Sequence, residues 1–150
     1  MTPFVCAGAG FLLAVLWFDL MFDVQALGNR RRDVPEDVLA SIAGYYRRVT
    51  TAARPMNRLV SLVMLATIAT IVVELVRASP PNWVAWTSLA LITSAVLLAA
   101  AHTFPSARRL GARGDTLEHQ GRLARSIGRD HLVCVAAIVS LLTIQLAFAR

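Results

Sequence analysis

The sequence has no lysine, only two cysteines, and none of the short motifs that mark the common classes of soluble enzyme. It contains no glycine-rich nucleotide loop, no nucleophile elbow and no C-x-x-C pair, so it gives no sign of a nucleotide, serine-hydrolase or thiol-redox site. It also lacks H-x-x-x-H and E-x-x-H, which would place two metal ligands on one helix face. The chain therefore shows no soluble-enzyme motif and no closely spaced pair of metal ligands.

Long apolar runs dominate the chain. Hydrophobic residues make up 57% of it and the mean hydropathy is +0.60, above the ~45–50% apolar content of soluble domains. Four runs of about 18–21 residues can each cross a ~30 Å hydrocarbon core at ~1.5 Å per residue; they cover residues 4–22, 59–76, 84–104 and 132–149. We predict one transmembrane domain over residues 1–150, an all-α integral membrane four-helix antiparallel bundle.

The arginines predict the orientation of this bundle. Thirteen of the 15 lie in two polar segments between spans, residues 23–58 and 105–131. Short basic loops stay in the cytoplasm, so we expect both segments inside and both termini outside a cytoplasmic (inner) membrane. The first run lacks a basic leader and a small-residue cleavage pattern, and we interpret it as a retained helix. The basic charge then belongs to topology, which argues against nucleic-acid binding.

The two cysteines are expected at opposite faces of the membrane. Cys6 falls near the outer end of the first span, and Cys134 lies about one turn from the inner start of the fourth. Most of a bilayer would separate them, so they cannot form a disulfide within one chain. We interpret both as small apolar packing residues.

A cytoplasmic amphipathic helix is predicted between the first two spans. Asp33, Pro35 and Glu36 form a helix-start pattern, and apolar residues then recur at helical spacing: Val38, Ile42, Tyr45 and Val49. Arginines on the opposite face could recognise anionic lipid or an acidic partner; alternatively the segment is solvated and tucked against the bundle. A second pattern starting at Asp115 is weakened by Gly121 and predicts only a short, frayed helix.

Two acids inside the spans need partners. Asp19 lies near the inner end of the first span and shares a helix face with Gly8, and a carboxylate at mid-membrane costs ~2.5–3.5 kcal/mol. We predict an ion pair with Arg58, the alternatives being a proton-relay, metal or substrate role. Glu74 lies near the outer end of the second span, where we predict an ion pair with Arg77.

Five titratable residues from three spans are predicted at the same depth near the inner boundary, and they form our candidate functional cluster: Asp19, Asp23, His102, Asp130 and His131. The imidazoles of His102 and His131 could bind a haem or, with carboxylates, another metal. They could also transfer protons, or merely cap and pair. We assign no catalytic residue and predict no cofactor.

The layout resembles a known group of membrane proteins. Its marks are GFLLAVLWFD at the first span, YYRRVTTAARPMNRL before the second, and a basic segment before the fourth. With four spans in 150 residues, these resemble the anthrone oxygenase-like family of bacterial integral membrane proteins, which implies the same four-span fold. The Asn and Pro pattern of that family after the third span is reduced to residues 103–106, so no functional residue is carried over. The opening also resembles copper-resistance membrane domains.

Little mass lies outside the predicted spans, which favours a non-enzymatic membrane protein, either an accessory subunit or a homo-oligomer. A redox or oxygenase-like membrane enzyme using the His and Asp set is one alternative, and an oligomeric transporter is another. The expected partners are the bilayer, anionic lipids at the cytoplasmic face, and a membrane protein or a second copy of the chain.

Overall fold

The structure, a computed structural model, describes residues 1–28, 34–52, 54–77 and 81–149. Within these ranges the chain is helical and has no strand, with helices in the following order: α1 (Thr2–Leu27), α2 (Glu36–Arg47), α3 (Arg54–Arg77), α4 (Asn82–Leu98), α5 (Phe104–Ala112) and α6 (Leu117–Phe148). A π-helical turn over Arg48–Ala52 follows α2, and another over Ala99–Thr103 joins α4 to α5. The predicted all-α class is confirmed.

Four helical segments are long and apolar enough to cross a membrane: Thr2–Leu27, Pro55–Arg77, Asn82–Ala112 and Leu117–Phe148. In the bundle, α1 and α4 each pack against both α3 and α6. The Thr2 hydroxyl at the start of α1 contacts Glu74 near the end of α3 and the Ala149 carbonyl after α6. Neighbouring helices are therefore antiparallel, as predicted.

An apolar core fills the bundle between these helices. Its fully or nearly fully buried members come from all four: Val5, Ala9, Leu12, Ile71, Ile92, Ile138 and Leu141. Helices α1 and α3 approach closely at Gly8, where an added Cβ would lie 2.1 Å from the Thr67 hydroxyl oxygen. Cys6 and Cys134 are both free thiols, and Cys134 packs against the Ala95 carbonyl of α4.

A second core lies at one end of the bundle, among α2, α5 and the first third of α6, residues 117–128; we call these three elements the cap. The core of the cap includes one residue from the end of α1 and one from the segment before α2; its members are Ala26, Val34, Leu39, Ile42, Ala43, Tyr46, Ala107, Leu110, Ala124 and Ile127. At Gly111 an added Cβ would lie 2.9 Å from the backbone nitrogen of Arg47, so α5 crosses α2 closely. The polar stretches between the spans thus fold into a helical cap.

Helix α2 is the predicted amphipathic helix, and it packs against protein on α1, α5 and α6. Its fully buried face is Leu39, Ile42, Ala43 and Tyr46. The predicted stripe residues Val38, Tyr45 and Val49 are only partly buried. The face of α2 that packs against the other helices is rotated by about one residue from the predicted stripe. Arg47 and Arg48 are exposed, and the predicted cap residue Asp33 lies outside the described residues.

The expectation of a frayed helix before the fourth span is wrong. Helix α6 runs unbroken over 32 residues, or about 48 Å at 1.5 Å per residue, far more than a membrane needs. Its N-cap is Thr116, whose side chain accepts from the His119 amide, whereas Asp115 binds Arg109. Gly121 is tolerated because it lies buried beneath Val34, and tertiary packing of this kind outweighs weak propensity.

Candidate functional site at the junction of bundle and cap

Between the two apolar cores lies a layer of polar side chains that we call the junction layer: Asp19, Asp23, Tyr45, Tyr46 and His131. Asp19 and Asp23 are four residues apart and therefore project from the same face of α1. The adjacent tyrosines come from α2, and His131 comes from α6 at the point where that helix leaves the cap. Three helices thus meet in this layer.

The fully buried Asp23 carboxylate is the centre of the junction layer. His131 Nδ1 lies 2.6 Å from its Oδ2, and the Tyr46 hydroxyl donates to its Oδ1 at 2.6 Å. The contact depends on Gly128, one turn before His131, where an added Cβ would lie 2.9 Å from Leu27 and 3.1 Å from Asp23. Both oxygens of a buried acid are therefore engaged, as an acid removed from water requires.

Asp19 is the second acid of the junction layer. Its Oδ1 accepts a hydrogen bond of 2.7 Å from the Tyr45 hydroxyl, and its Oδ2 lies 3.8 Å from His131 Nε2. The His131 ring therefore bridges the two carboxylates, with one nitrogen toward each. The Tyr45 ring also stacks on Phe22 of α1, with centroids 4.0 Å apart, which fixes the hydroxyl against Asp19.

The tyrosines act as hydrogen-bond donors in this layer. Burial, together with the neighbouring carboxylates of Asp19 and Asp23, raises the pKa of both Tyr45 and Tyr46 above the ordinary tyrosine value. Both hydroxyls therefore keep their protons at neutral pH and can only donate to the carboxylates. The layer therefore consists of two protonated tyrosines, two acids and one imidazole, and these side chains contact one another.

A second acid–imidazole pair is formed by His102 and Asp130, the α6 residue that directly precedes His131. His102 Nδ1 is 2.6 Å from Asp130 Oδ2, and the Thr103 hydroxyl donates to the same oxygen at 3.0 Å. The His102 side chain is 51% exposed and belongs to the π-helical turn between α4 and α5. The candidate cluster is thus divided in two: Asp19, Asp23 and His131 in one group, and His102 with Asp130 in the other.

The far end of the bundle holds a third polar group, centred on Glu74. This side chain is buried, its Oε2 accepting from Gln145 Nε2 at 3.2 Å and its Oε1 from the Thr2 hydroxyl at 3.3 Å. Gln145 also donates to Ser88 of α4 at 3.1 Å. Four helices are therefore joined by polar contacts at this end, opposite to the cap.

Both predicted ion pairs of the spans are replaced by other contacts. Asp19 turns toward α2 and α6, while Arg58 is exposed on α3, and no Asp19–Arg58 pair forms among the described residues. Glu74 faces inward because it follows Thr67 and Ile71 at helical spacing, all three being buried. Arg77 falls outside that face and is exposed, so the predicted pair with Glu74 does not form either.

The model of the SHR3 chaperone family, described as ER membrane protein SH3, matches residues 1–148. The chain belongs to the SHR3 chaperone family. No curated protein and no solved structure matches it.

The family match corrects the resemblance to the anthrone oxygenase-like family, which was wrong. Apolar spans and basic loops are required of any small multi-pass membrane protein, so their layout carries little information about ancestry. The description of the SHR3 family refers to the ER membrane, and this gives no support to a bacterial source. What holds for this SHR3-family chain is that it is a multi-pass membrane protein.

In this SHR3-family protein the two histidines of the candidate cluster contact separate acids, Asp130 for His102 and the Asp19–Asp23 pair for His131. Across the described ranges no group of three or more His, Cys, Asp or Glu side chains is arranged to hold a metal ion. The junction tyrosines were missed from the sequence because Tyr45 was placed on an apolar stripe. The available signal was the chemistry of tyrosine, whose buried hydroxyl needs a hydrogen-bond partner.

Proposed function

We propose that this protein is a non-enzymatic chaperone of other multi-pass membrane proteins, binding a client through the lipid-facing surface of its bundle. The observation that carries the proposal is the match of the SHR3 chaperone family over residues 1–148. The structure supports a binding role, since the polar side chains within the junction layer contact one another, those around Glu74 do the same, and large apolar side chains of the spans are exposed.

The face of α1 that looks outward suits a client helix. Phe4 and Trp17 are 71% and 67% exposed, and the exposed small residues Ala7, Gly10 and Ala14 lie between them at helical spacing. Small residues allow helix backbones to approach closely in lipid, where van der Waals packing drives association. We infer that a client helix packs on this small-residue face between the two aromatic side chains.

The orientation also belongs to this proposal. The helices of the cap belong to the two basic segments, residues 23–58 and 105–131, and basic segments remain on the cytoplasmic side, so we place the cap in the cytoplasm and both termini across the membrane. The family description points to the ER membrane; the inner-membrane location expected from the sequence is the alternative. A reporter active only in the cytoplasm, fused after Arg150, should be inactive, and an active one would reverse the orientation.

The chaperone role is tested by depleting the protein in its native cells and measuring which multi-pass membrane proteins aggregate in detergent extracts. A defined subset should aggregate and be restored by the wild-type chain. The Gly10→Leu variant, which blocks the small-residue face, should not restore them. Ala69→Leu makes the matched change at an exposed position of α3 and should restore them fully.

Two outcomes would reject this function. If depletion changes the aggregation of no multi-pass protein, the chaperone role is wrong. If the purified protein instead shows a visible absorption band that disappears in His102→Ala or His131→Ala, the redox alternative is favoured.

A further inference from the structure

A groove runs along the outer side of α2 where the cap meets the bundle. Its volume is about 390 Å³, and it is lined by Phe22 of α1, by Ser41, Gly44 and Tyr45 of α2, and by Arg48 at the start of the π-helical turn. A second hollow of about 490 Å³ shares Arg48 and adds Arg47. Even without the second hollow, the groove is within the ~300–1,000 Å³ range of small-molecule sites.

One wall of this groove is apolar and rigid. The Phe22 and Tyr45 rings stack with an interplanar angle of 10°, and the Tyr45 hydroxyl is held by Asp19. Gly44, the lining residue before Tyr45, leaves open space, since an added Cβ would meet no atom within 4 Å. The wall can therefore accept an apolar chain beside the rings without rearranging.

The rim of the groove is cationic. Arg47 and Arg48 are both exposed, and neither has an acidic partner among the residues that the structure describes. Other exposed arginines differ in this respect, Arg122 for example binding Glu118. A guanidinium without a partner is well suited to phosphate, which it contacts through two parallel hydrogen bonds.

The level of the groove relative to the membrane favours one class of phosphate-bearing ligand. Phe22 ends the first apolar run, so the groove opens where the span leaves the hydrocarbon, at the level of lipid headgroups. We propose that the groove binds one anionic phospholipid, its phosphate held by Arg48 and Arg47 and the start of its acyl chains lying against Phe22 and Tyr45. This site is independent of client binding on α1.

The test uses the intact protein in mixed detergent micelles containing phosphatidylglycerol or phosphatidylcholine, with bound lipid counted by native mass spectrometry. The wild type should retain one phosphatidylglycerol in preference to phosphatidylcholine. Arg48→Gln should weaken retention about fivefold, the loss expected for one arginine near an anionic surface. Arg122→Gln removes the same charge away from the groove and should change retention little.

A second variant separates a built site from diffuse attraction. Gly44→Leu fills the groove without altering charge and should also lower retention, with Ser41→Leu as the substitute if Gly44→Leu does not fold in detergent. Equal losses in Arg48→Gln and Arg122→Gln would overturn the proposal, as would wild-type retention in the groove-filling variant. Displacement of the lipid by inorganic phosphate at similar concentration would assign the site to free phosphate instead.

Discussion

Replacing Gly8 with alanine is expected to destabilise the bundle, whereas the same change at Gly10, two residues along α1, is not. A Cβ at position 8 would lie 2.1 Å from the Thr67 hydroxyl oxygen and 3.2 Å from the Thr67 Cβ, whereas a Cβ at position 10 meets no atom within 4 Å. Thr67 is buried and its hydroxyl donates to the Val63 carbonyl at 2.7 Å. Rotating the hydroxyl away would break that hydrogen bond.

The magnitude follows from comparing the two variants. Both gain the ~0.5–1 kcal/mol by which alanine exceeds glycine inside a helix, so this gain cancels in the difference. What remains is the overpacking at position 8, which costs about 1–3 kcal/mol in a close-packed interior. Gly8→Ala should therefore have a free energy of unfolding lower than Gly10→Ala by about 1–3 kcal/mol.

The assay is reversible unfolding of the purified protein by denaturing detergent in mixed micelles, followed by far-ultraviolet circular dichroism. Thr67→Ala provides a suppressor, because it removes the hydroxyl and leaves only the 3.2 Å contact with Cβ. The penalty of Gly8→Ala should shrink in that background, a coupling that the double-mutant cycle measures. Equal stability of the two glycine variants, or an unchanged penalty beside Thr67→Ala, would refute the reasoning.

Three further predictions concern the junction layer and the cap. His131→Ala removes a partner from the buried Asp23 carboxylate and should lower the free energy of unfolding by about 3–5 kcal/mol; a loss below about 1 kcal/mol, the usual value of an exposed pair, would contradict the burial. The raised pKa of Tyr46, caused by burial and the Asp23 carboxylate, means that its contribution to stability is complete below the ordinary tyrosine pKa near 10 and is lost as pH rises beyond it. Tyr46→Phe should therefore reduce the alkaline decline in melting temperature, and an identical decline in wild type and variant would refute this. Gly111→Ala places a Cβ 2.9 Å from the α2 backbone and should accelerate amide hydrogen exchange in α2, whereas Gly44→Ala, with open space, should slow it or leave it unchanged.

The controls for these variants use neighbouring positions. Tyr45→Phe removes a hydroxyl that is only partly buried, so its effect on the alkaline decline should be smaller than that of Tyr46→Phe. His102→Ala breaks a half-exposed pair with Asp130 and should cost about 1 kcal/mol or less.

The sequence was informative where hydrophobicity changes along the chain and uninformative where it does not. Four spans and the amphipathic helix follow from apolar length and periodicity. The inward faces of the spans could not be predicted in the same way, because both faces of a helix in lipid are apolar. Glu74 illustrates this, since the correct buried face contains Thr67 and Ile71, whereas the sequence interpretation gave Glu74 an interfacial partner.

Depth along the span was the useful guide to the candidate site. It placed Asp19, Asp23 and His131 at one level, and the structure has His131 within 3.8 Å of both carboxylates. It could not supply Tyr45 and Tyr46, which reach the layer only because α2 folds back onto the bundle end. Packing of this segment against the bundle was one of the two sequence interpretations, but the register that brings both tyrosines to the acids of α1 depends on long-range packing in the cap.

The core of the cap is built from segments that lie far apart in the sequence, so it can be completed only late in synthesis. Its apolar core combines Leu39 and Ile42 of α2 with Leu110 of α5 and Ile127 of α6, so the covered face of α2 precedes its last partner by most of the chain. At a synthesis rate of ~5–20 residues per second, that face remains incompletely buried for on the order of ten seconds. A protein of a chaperone family thus leaves the apolar face of one of its own helices incompletely covered until the start of its last span has been made.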